Sequence, residues 1–419
     1  MISSFLIQTL NGLASASLLF LVALGLTLIF GVTRIVNFAH GSLMMLGAYL
    51  GVTLYASLGG GALGFWGGAL LSALCVALIG VMIEFVVLRR IYAAPELLQL
   101  IATFGIVLIV KDAVLYLWGP EDLLGPRAPG LRGAVLLLGK PFPTYDLLLI
   151  VLGPVFLVLV WLLLTRTDFG TKVRAATEDR DMAAALGVNQ ALLFTSVFAI
   201  GSFLAGLGGA LALPREPANL SMDLSIIADV FVVTVVGGLG SIPGAYVAAV
   251  IISVVKAWCI GLGDVALFGT TFSFSKLTLV AEFMVMAVVL IVRPWGLFGS
   301  EPASAHASTA PALPMAPPGR PLLIGIAATA AVLMLFPLVA DRFSVVLMTD
   351  VAIFALFAAS LGLLMGAGGM ASFGHAAYFG AGAYAAAISA KAGLPFVMAL
   401  ACGLVFAGVL ALLFGWFAV

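Results

Sequence analysis

The stretch DLLLIVLGPVFLVLVWLLLTR, residues 146–166, carries no charge between Asp146 and Arg166. A helix rises 1.5 Å per residue, so about 20 apolar residues cross a hydrocarbon core roughly 30 Å thick. The run is long enough, and its apolarity is continuous. A membrane-barrel strand alternates apolar and polar residues instead. A helix also satisfies its own backbone polar groups where there is no water to do so. Residues 146–166 are therefore predicted to form a membrane-spanning helix.

Runs of the same kind flank it on both sides, at 5–30, 36–58, 64–88, 98–118, 191–213, 224–240, 243–262 and 276–296, then at 321–340, 344–365, 369–390 and 395–417. The expected fold class is all-α, a polytopic transmembrane helical bundle. Composition agrees. Of the 419 residues, 63% are hydrophobic and 9% charged, against roughly 45–50% and about 25% in soluble proteins. Net charge is zero, which gives no electrostatic ground for a nucleic-acid partner. Cys75, Cys259 and Cys402 all sit in apolar runs and are expected to be buried thiols, not a disulfide frame or metal site. Met1–Leu10 holds no Lys or Arg, so the opening segment reads as a retained span and not a cleaved signal.

Basic residues set the expected orientation. Arg89 and Arg90 end one span, Arg166, Lys172, Arg174 and Arg180 follow another, and Arg293 ends a third. Placing all of them in the cytoplasm leaves the amino terminus and loop 119–145 outside. Residues 300–320 are rich in Ala, Pro and Ser and read as a cytoplasmic linker. The expected domains are thus 1–299, the linker 300–320, and 321–419.

The two sides of the linker share a pattern. Asn37-Phe38-Ala39-His40 precedes Gly47-Ala48-Tyr49, and Ser372-Phe373-Gly374-His375 precedes Gly382-Ala383-Tyr384 at the same spacing. Both copies run the same way through the membrane on the expected path, as parallel repeats do. His40 and His375 sit beside glycines at helix breaks. Each reads either as a substrate or gate contact or as a hydrogen-bonded packing residue. The segment Gly237-Gly238-Leu239-Gly240-Ser241-Ile242-Pro243-Gly244 reads either as a broken helix lining a polar cavity or as a tight turn.

Residues 166–190 form the only long, strongly charged stretch between spans. Good helix formers fill Arg174–Leu186, and Gly187 with Asn189 supplies a stop. The expected helix turns Ala175, Met182, Ala183 and Leu186 to one face and Glu178, Asp179, Arg180 and Asp181 to water or a partner. A short amphipathic helix held between two spans suits insertion into a groove on another protein.

This segment, RAATEDRDMAAALGVN at 174–189, resembles the permease "EAA" loop of the branched-chain amino acid ABC importers. Further resemblance lies in GVTRIVNFAHG at 31–41, VGGLGSIPG at 236–244 and RPWGLFG at 293–299, together covering one whole permease. GAGGMASFGH at 366–375 resembles the start of the paired second permease, so the chain resembles a fusion of the two with the second one incomplete. The resemblance implies a permease for branched-chain amino acids in the cell inner membrane, with separate ABC ATPase subunits that use ATP, an external substrate-binding protein and a second permease copy or subunit as partners. It implies ATPase coupling through Arg174, Glu178, Asp179, Arg180, Asp181, Ala183, Ala184 and Gly187. Asp181 stands where such loops commonly carry Glu. Candidate pathway residues are Asn37, His40, Gly237, Gly238, Gly240 and His375. Urea or short-chain amides stay open as substrates, and an ion-coupled carrier stays open as a rival class.

The chain has no Walker-type phosphate loop and three histidines, His40, His306 and His375. It is expected to bind no cofactor or metal and to be no enzyme. Ionisable residues within spans are few: Glu84 near Arg89, adjacent Lys111 and Asp112 that are expected to compensate each other, Asp229, and Glu282.

Overall fold

The computed structural model describes residues 2–92, 94–137, 139–267, 270–299, 319–366 and 374–418. The chain forms two compact units, Met1–Ala305 and His306–Val419. Most of linker 300–320, including His306, and residues 367–373 of the second repeat lie outside the described residues.

Helices of the first unit are Ile2–Thr33 (α1), His40–Ser57 (α2), Gly61–Ile83 (α3), Arg89–Ile91 (α4), Glu96–Trp118 (α5), Thr144–Arg166 (α6), Asp168–Glu178 (α7), Arg180–Ala185 (α8), Gln190–Ala212 (α9), Met222–Gly237 (α10), Ile242–Leu262 (α11) and Thr278–Val292 (α12). The second unit holds Arg320–Val339 (α13), Arg342–Gly366 (α14), His375–Lys391 (α15) and Phe396–Ala418 (α16). Among the described residues, nine helices are long and apolar enough to cross a membrane. The protein is a multi-pass membrane protein with an all-α bundle.

The 32-residue α1 is the pole of the first unit. At 1.5 Å per residue it is about 48 Å long, more than the hydrocarbon core requires. Its middle, Phe20 to Leu24, is almost wholly buried, and it packs along α11, α9 and α6. Backbones approach closely around α9. Gly209 lies against the Met44 carbonyl of α2, Gly206 against Gly47 of α2 and Val76 of α3, and Gly201 against Gly25 of α1. In lipid, apolar surface alone drives little helix association. Small residues that bring backbones together do much of that work instead.

Predicted spans 36–58 and 224–240 are among those found as shorter helices. Asn37 Oδ1 accepts from the Ala39 amide at 3.1 Å, forming a side-chain turn that delays α2 to His40. At the other, Gly238 at φ 100° ends α10 after 16 residues. Two hairpins of four-residue strands escaped the sequence reading, Ala134–Leu137 (β1) with Lys140–Pro143 (β2) and Asp264–Leu267 (β3) with Thr270–Ser273 (β4). Lys140 Nζ donates to Ser4 Oγ at 2.7 Å, so the first hairpin lies at the end of the unit where α1 begins.

In the second unit α15 begins at the histidine of its repeat, as α2 does. His375 Nε2 shares a 2.7 Å hydrogen bond with Ser360 Oγ of α14, and Gly403 of α16 meets the Gly382 carbonyl of α15. Asp341 receives the Ser344 hydroxyl and the amides of Phe343 and Ser344 at the start of α14, and the Ser344 hydroxyl leads in holding its carboxyl below the usual range. Cys402 is exposed, while Cys75 and Cys259 are half-buried, so the expectation of three buried thiols is corrected.

Candidate functional site

The charged loop is built differently from its sequence reading. One helix over 174–186 was expected, but α7 starts at Asp168 and stops at Glu178, and α8 follows. Thr167 accepts the Gly170 amide at 3.1 Å and starts α7 early. Asp179, in extended conformation, accepts the Met182 amide at 2.9 Å. A side chain that satisfies the first free amides of a helix begins a new one, so Asp179 breaks the run into an elbow. The inward face is Gly170, Val173 and Ala176, with Ala183 on α8. Ala175, Met182 and Leu186 of the expected apolar face are exposed, Leu186 at 77%. Gly187 does end α8, at φ 88°, with the Val188 amide reaching back to the Ala183 carbonyl at 3.1 Å. Asn189 instead caps α9, accepting from the Leu192 amide at 3.1 Å.

The elbow is braced to the bundle by cations. Arg34 donates to the Thr177 carbonyl at 3.2 Å, and Arg180 to the Val32 carbonyl at 2.7 Å. Arg180, expected to face water or a partner, also lies 5.3 Å from the Phe194 ring. Burial is the larger cause that lowers its pKa, with Arg34 adding to it. Arg174 bonds the Leu164 carbonyl, and Gln190 the Arg180 carbonyl at 2.6 Å. Exposed around this frame are Glu178, Asp179, Asp181, Met182, Ala184 and Leu186.

Beside the elbow lies a π turn, Glu84–Leu88. The fully buried Glu84 carboxylate receives Thr195 Oγ1 at 2.8 Å, Tyr92 Oη at 3.0 Å and Arg89 at 3.3 Å. Burial first, then the Glu84 charge, raises the Tyr92 phenol. The expected nearness of Glu84 and Arg89 is thus a real ion pair. Lys111 and Asp112, expected to compensate each other, form no ion pair among the described residues. Successive residues of a helix do not face each other.

At the opposite end of the first unit is a cavity of about 490 Å³. It lies between the first half of α1, the last turns of α9 and α11, and α10. Polar groups line it at Gln8, Asn11 and Ser15 of α1, at Arg215 and Glu216 after α9, and at Asp229 and Lys256. Lys256 Nζ donates to Asp229 Oδ2 at 2.6 Å and to Glu282 Oε2 at 2.9 Å, tying α10, α11 and α12 together. Arg215 Nε lies 3.4 Å from Asp146 Oδ1, and its Nη2 donates to Ser15 at 3.1 Å.

The sequence candidates for the pathway lie elsewhere. His40 and Asn37 are buried, with His40 Nε2 2.9 Å from the Val22 carbonyl. Gly237, Gly238 and Gly240 form the turn between α10 and α11, and the Leu297 and Phe298 amides bond the Val236 and Gly237 carbonyls. His375 belongs to the second unit. Lys256, Arg215 and Glu216 were missed. Lys256 was there to find, as a lone ammonium in an otherwise apolar span.

A many-helix membrane bundle with a mixed-charge cavity at one end and a braced, exposed elbow at the other is built as a membrane transport subunit. The chain belongs to the family described as branched-chain amino acid transport system / permease component, whose model matches residues 8–293. It is 28% identical over 308 residues to the high-affinity branched-chain amino acid transport system permease protein BraD of Pseudomonas aeruginosa, covering 70% of this chain and 96% of that protein. It is 27% identical over 310 residues to the permease protein LivH of Escherichia coli K12, with the same coverage. To a probable LivH of Methanocaldococcus jannaschii it is 29% identical over 296 residues, 68% of this chain and 89% of that one. No solved structure matches the chain.

Proposed function

We propose that the chain is the permease of an ATP-driven importer of branched-chain amino acids in the cell inner membrane. Separate ATPase subunits hydrolyse the ATP, and a soluble binding protein delivers the solute to the cavity end. The chain itself binds no cofactor. The observation that carries this reading is the family match over 8–293, together with an elbow at the end of the first unit remote from the cavity. The similarity to proteins named as branched-chain amino acid permeases supports the substrate class.

The ATPase engages α7 and α8. Leu186 and Met182 enter an apolar groove, Glu178 and Asp181 meet its rim, and Ala183, Ala184 and Gly187 set the spacing. Arg174 and Arg180 work from behind, passing motion of the elbow to α6 and to the end of α1. Residues 300–320 join this permease to a second permease segment, 321–419.

Leu186→Glu places a charge in the proposed contact without touching the bundle. Co-purification with the ATPase subunits is expected to fall at least ten-fold while the size-exclusion profile stays unchanged. Undiminished co-purification would remove the elbow as the docking element.

A further inference from the structure

Three helices meet at one ammonium. Lys256 of α11 donates to Asp229 of α10 at 2.6 Å and to Glu282 of α12 at 2.9 Å. The two carboxyls also stand within hydrogen-bonding reach of each other. The charges that act most strongly on Glu282 are Asp229 and Lys256, and on Lys256 they are Asp229 and Glu282. Other charged groups on or near these helices are Asp223, Asp264, Lys276 and Arg293, with Arg215 and Glu216 at the cavity. Among the described residues none of them forms an ion pair with the cluster. With both acids ionised it would hold two negative charges against one positive. Glu282, in the second turn of α12, has a fully buried side chain, and its Oε1 has no hydrogen-bond partner. Asp229 and Lys256 line the cavity, and Glu282 stands behind them.

Two carboxylates this close in an apolar setting do not both stay ionised, and a hydrogen bond between two carboxyls needs a proton to donate. We propose that Asp229 and Glu282 form a proton-binding site, in which the two carboxyls share one proton and Lys256 remains an ammonium bonded to both. The count then closes. Two carboxyls with one proton balance one ammonium, and the knot is neutral within spanning helices, where unpaired charge is costly. The proton belongs to the pair and not to either acid alone. It exchanges through Asp229, which faces the cavity, so its occupancy follows the solution at that end. When the proton leaves, one negative charge is left over behind the cavity wall, and the tie between α11 and α12 weakens. This assignment rests on the geometry of the three side chains and not on the permease reading, and it gives the proton no part in driving transport.

Infrared spectroscopy on the full chain in nanodiscs reads the proton directly. A free glutamate, with a pKa of about 4.3, is ionised at pH 7. The unaltered chain is expected to show at pH 7 a protonated-carboxyl C=O stretch that shifts in heavy water and fades as the pH rises. Glu282→Gln leaves one carboxylate to balance one ammonium, and so does Asp229→Asn, so each is expected to remove that band. Lys256→Met takes the ammonium away and is expected to carry the band to higher pH. No such band in the unaltered chain at pH 7, or a band undiminished in both neutral variants, overturns the site. Dicyclohexylcarbodiimide, which attacks protonated carboxyls in apolar surroundings, decides the matter on the unaltered chain should the variants fail to fold. Mass mapping is expected to find its adduct on Glu282 or Asp229, or an amide joining one of them to Lys256, with a yield that falls at least ten-fold from pH 6 to pH 9. Unmodified Asp229, Glu282 and Lys256 at pH 6 would overturn the site.

Discussion

Glu84 shows how one residue ties several elements. Its carboxylate is fully buried and collects donors from Thr195 on α9, Tyr92 beyond α4, and Arg89. A buried charge persists only when paired and hydrogen-bonded, and removing one partner from such a set costs about 3–5 kcal/mol. Glu84→Ala leaves Arg89 without its counter-ion and is expected to lower the thermal midpoint in detergent sharply, with Glu84→Gln intermediate because the amide oxygen still accepts from Thr195. Equal midpoints for all three proteins would contradict this. The sequence flagged Glu84 and Arg89 because they are five positions apart. Thr195 and Tyr92 were illegible there, since the contact between Glu84 and Thr195 is made by helix packing across 111 positions. The same limit hid the Lys256 cluster. Glu282 and Asp229 stood out as acids inside spans, but the ammonium they share arrives from a third helix.

Elements were legible in proportion to their length. Continuous apolar runs of about 20 residues exclude almost every alternative to a spanning helix, and α6 is found at Thr144–Arg166, two residues from its expected start. Ends set by a single side chain were not. Asp179 scans as one more charged residue in a helix-forming run, yet it accepts the Met182 amide and starts a new helix. Nor were the four-residue strands of the hairpins, which are too short for any alternation to emerge. Glycine spacing, by contrast, had physical content. Gly209 meets the backbone of α2 at Met44, and Gly206 meets Gly47. Overpacking a filled interior costs about 1–3 kcal/mol even where side chains can yield, and a carbonyl yields less. Gly209→Val is therefore expected to separate α9 from α2 and to abolish recovery of monodisperse protein. Gly105→Val, on α5 with open space around it, is expected to leave recovery unchanged. Similar recovery of both variants would show that α9 is not the packing hub.

At the scale of the whole molecule, the first unit separates its cavity from its elbow by the length of α1. The cavity touches α1 at Gln8 to Leu19, and the elbow touches it at Val32 and at Arg34 just past its end. One stiff helix of about 48 Å therefore contacts the cavity and the elbow at once. The second unit has its own copy of the helix start at histidine, and its faces are largely exposed. The most direct test is solute uptake into proteoliposomes that hold the full chain with its ATPase subunits, ATP trapped inside and loaded binding protein outside. L-leucine is expected to accumulate only when ATP is enclosed, and to stop when Leu186→Glu uncouples the elbow. Accumulation driven by a proton or sodium gradient without ATP would contradict the account.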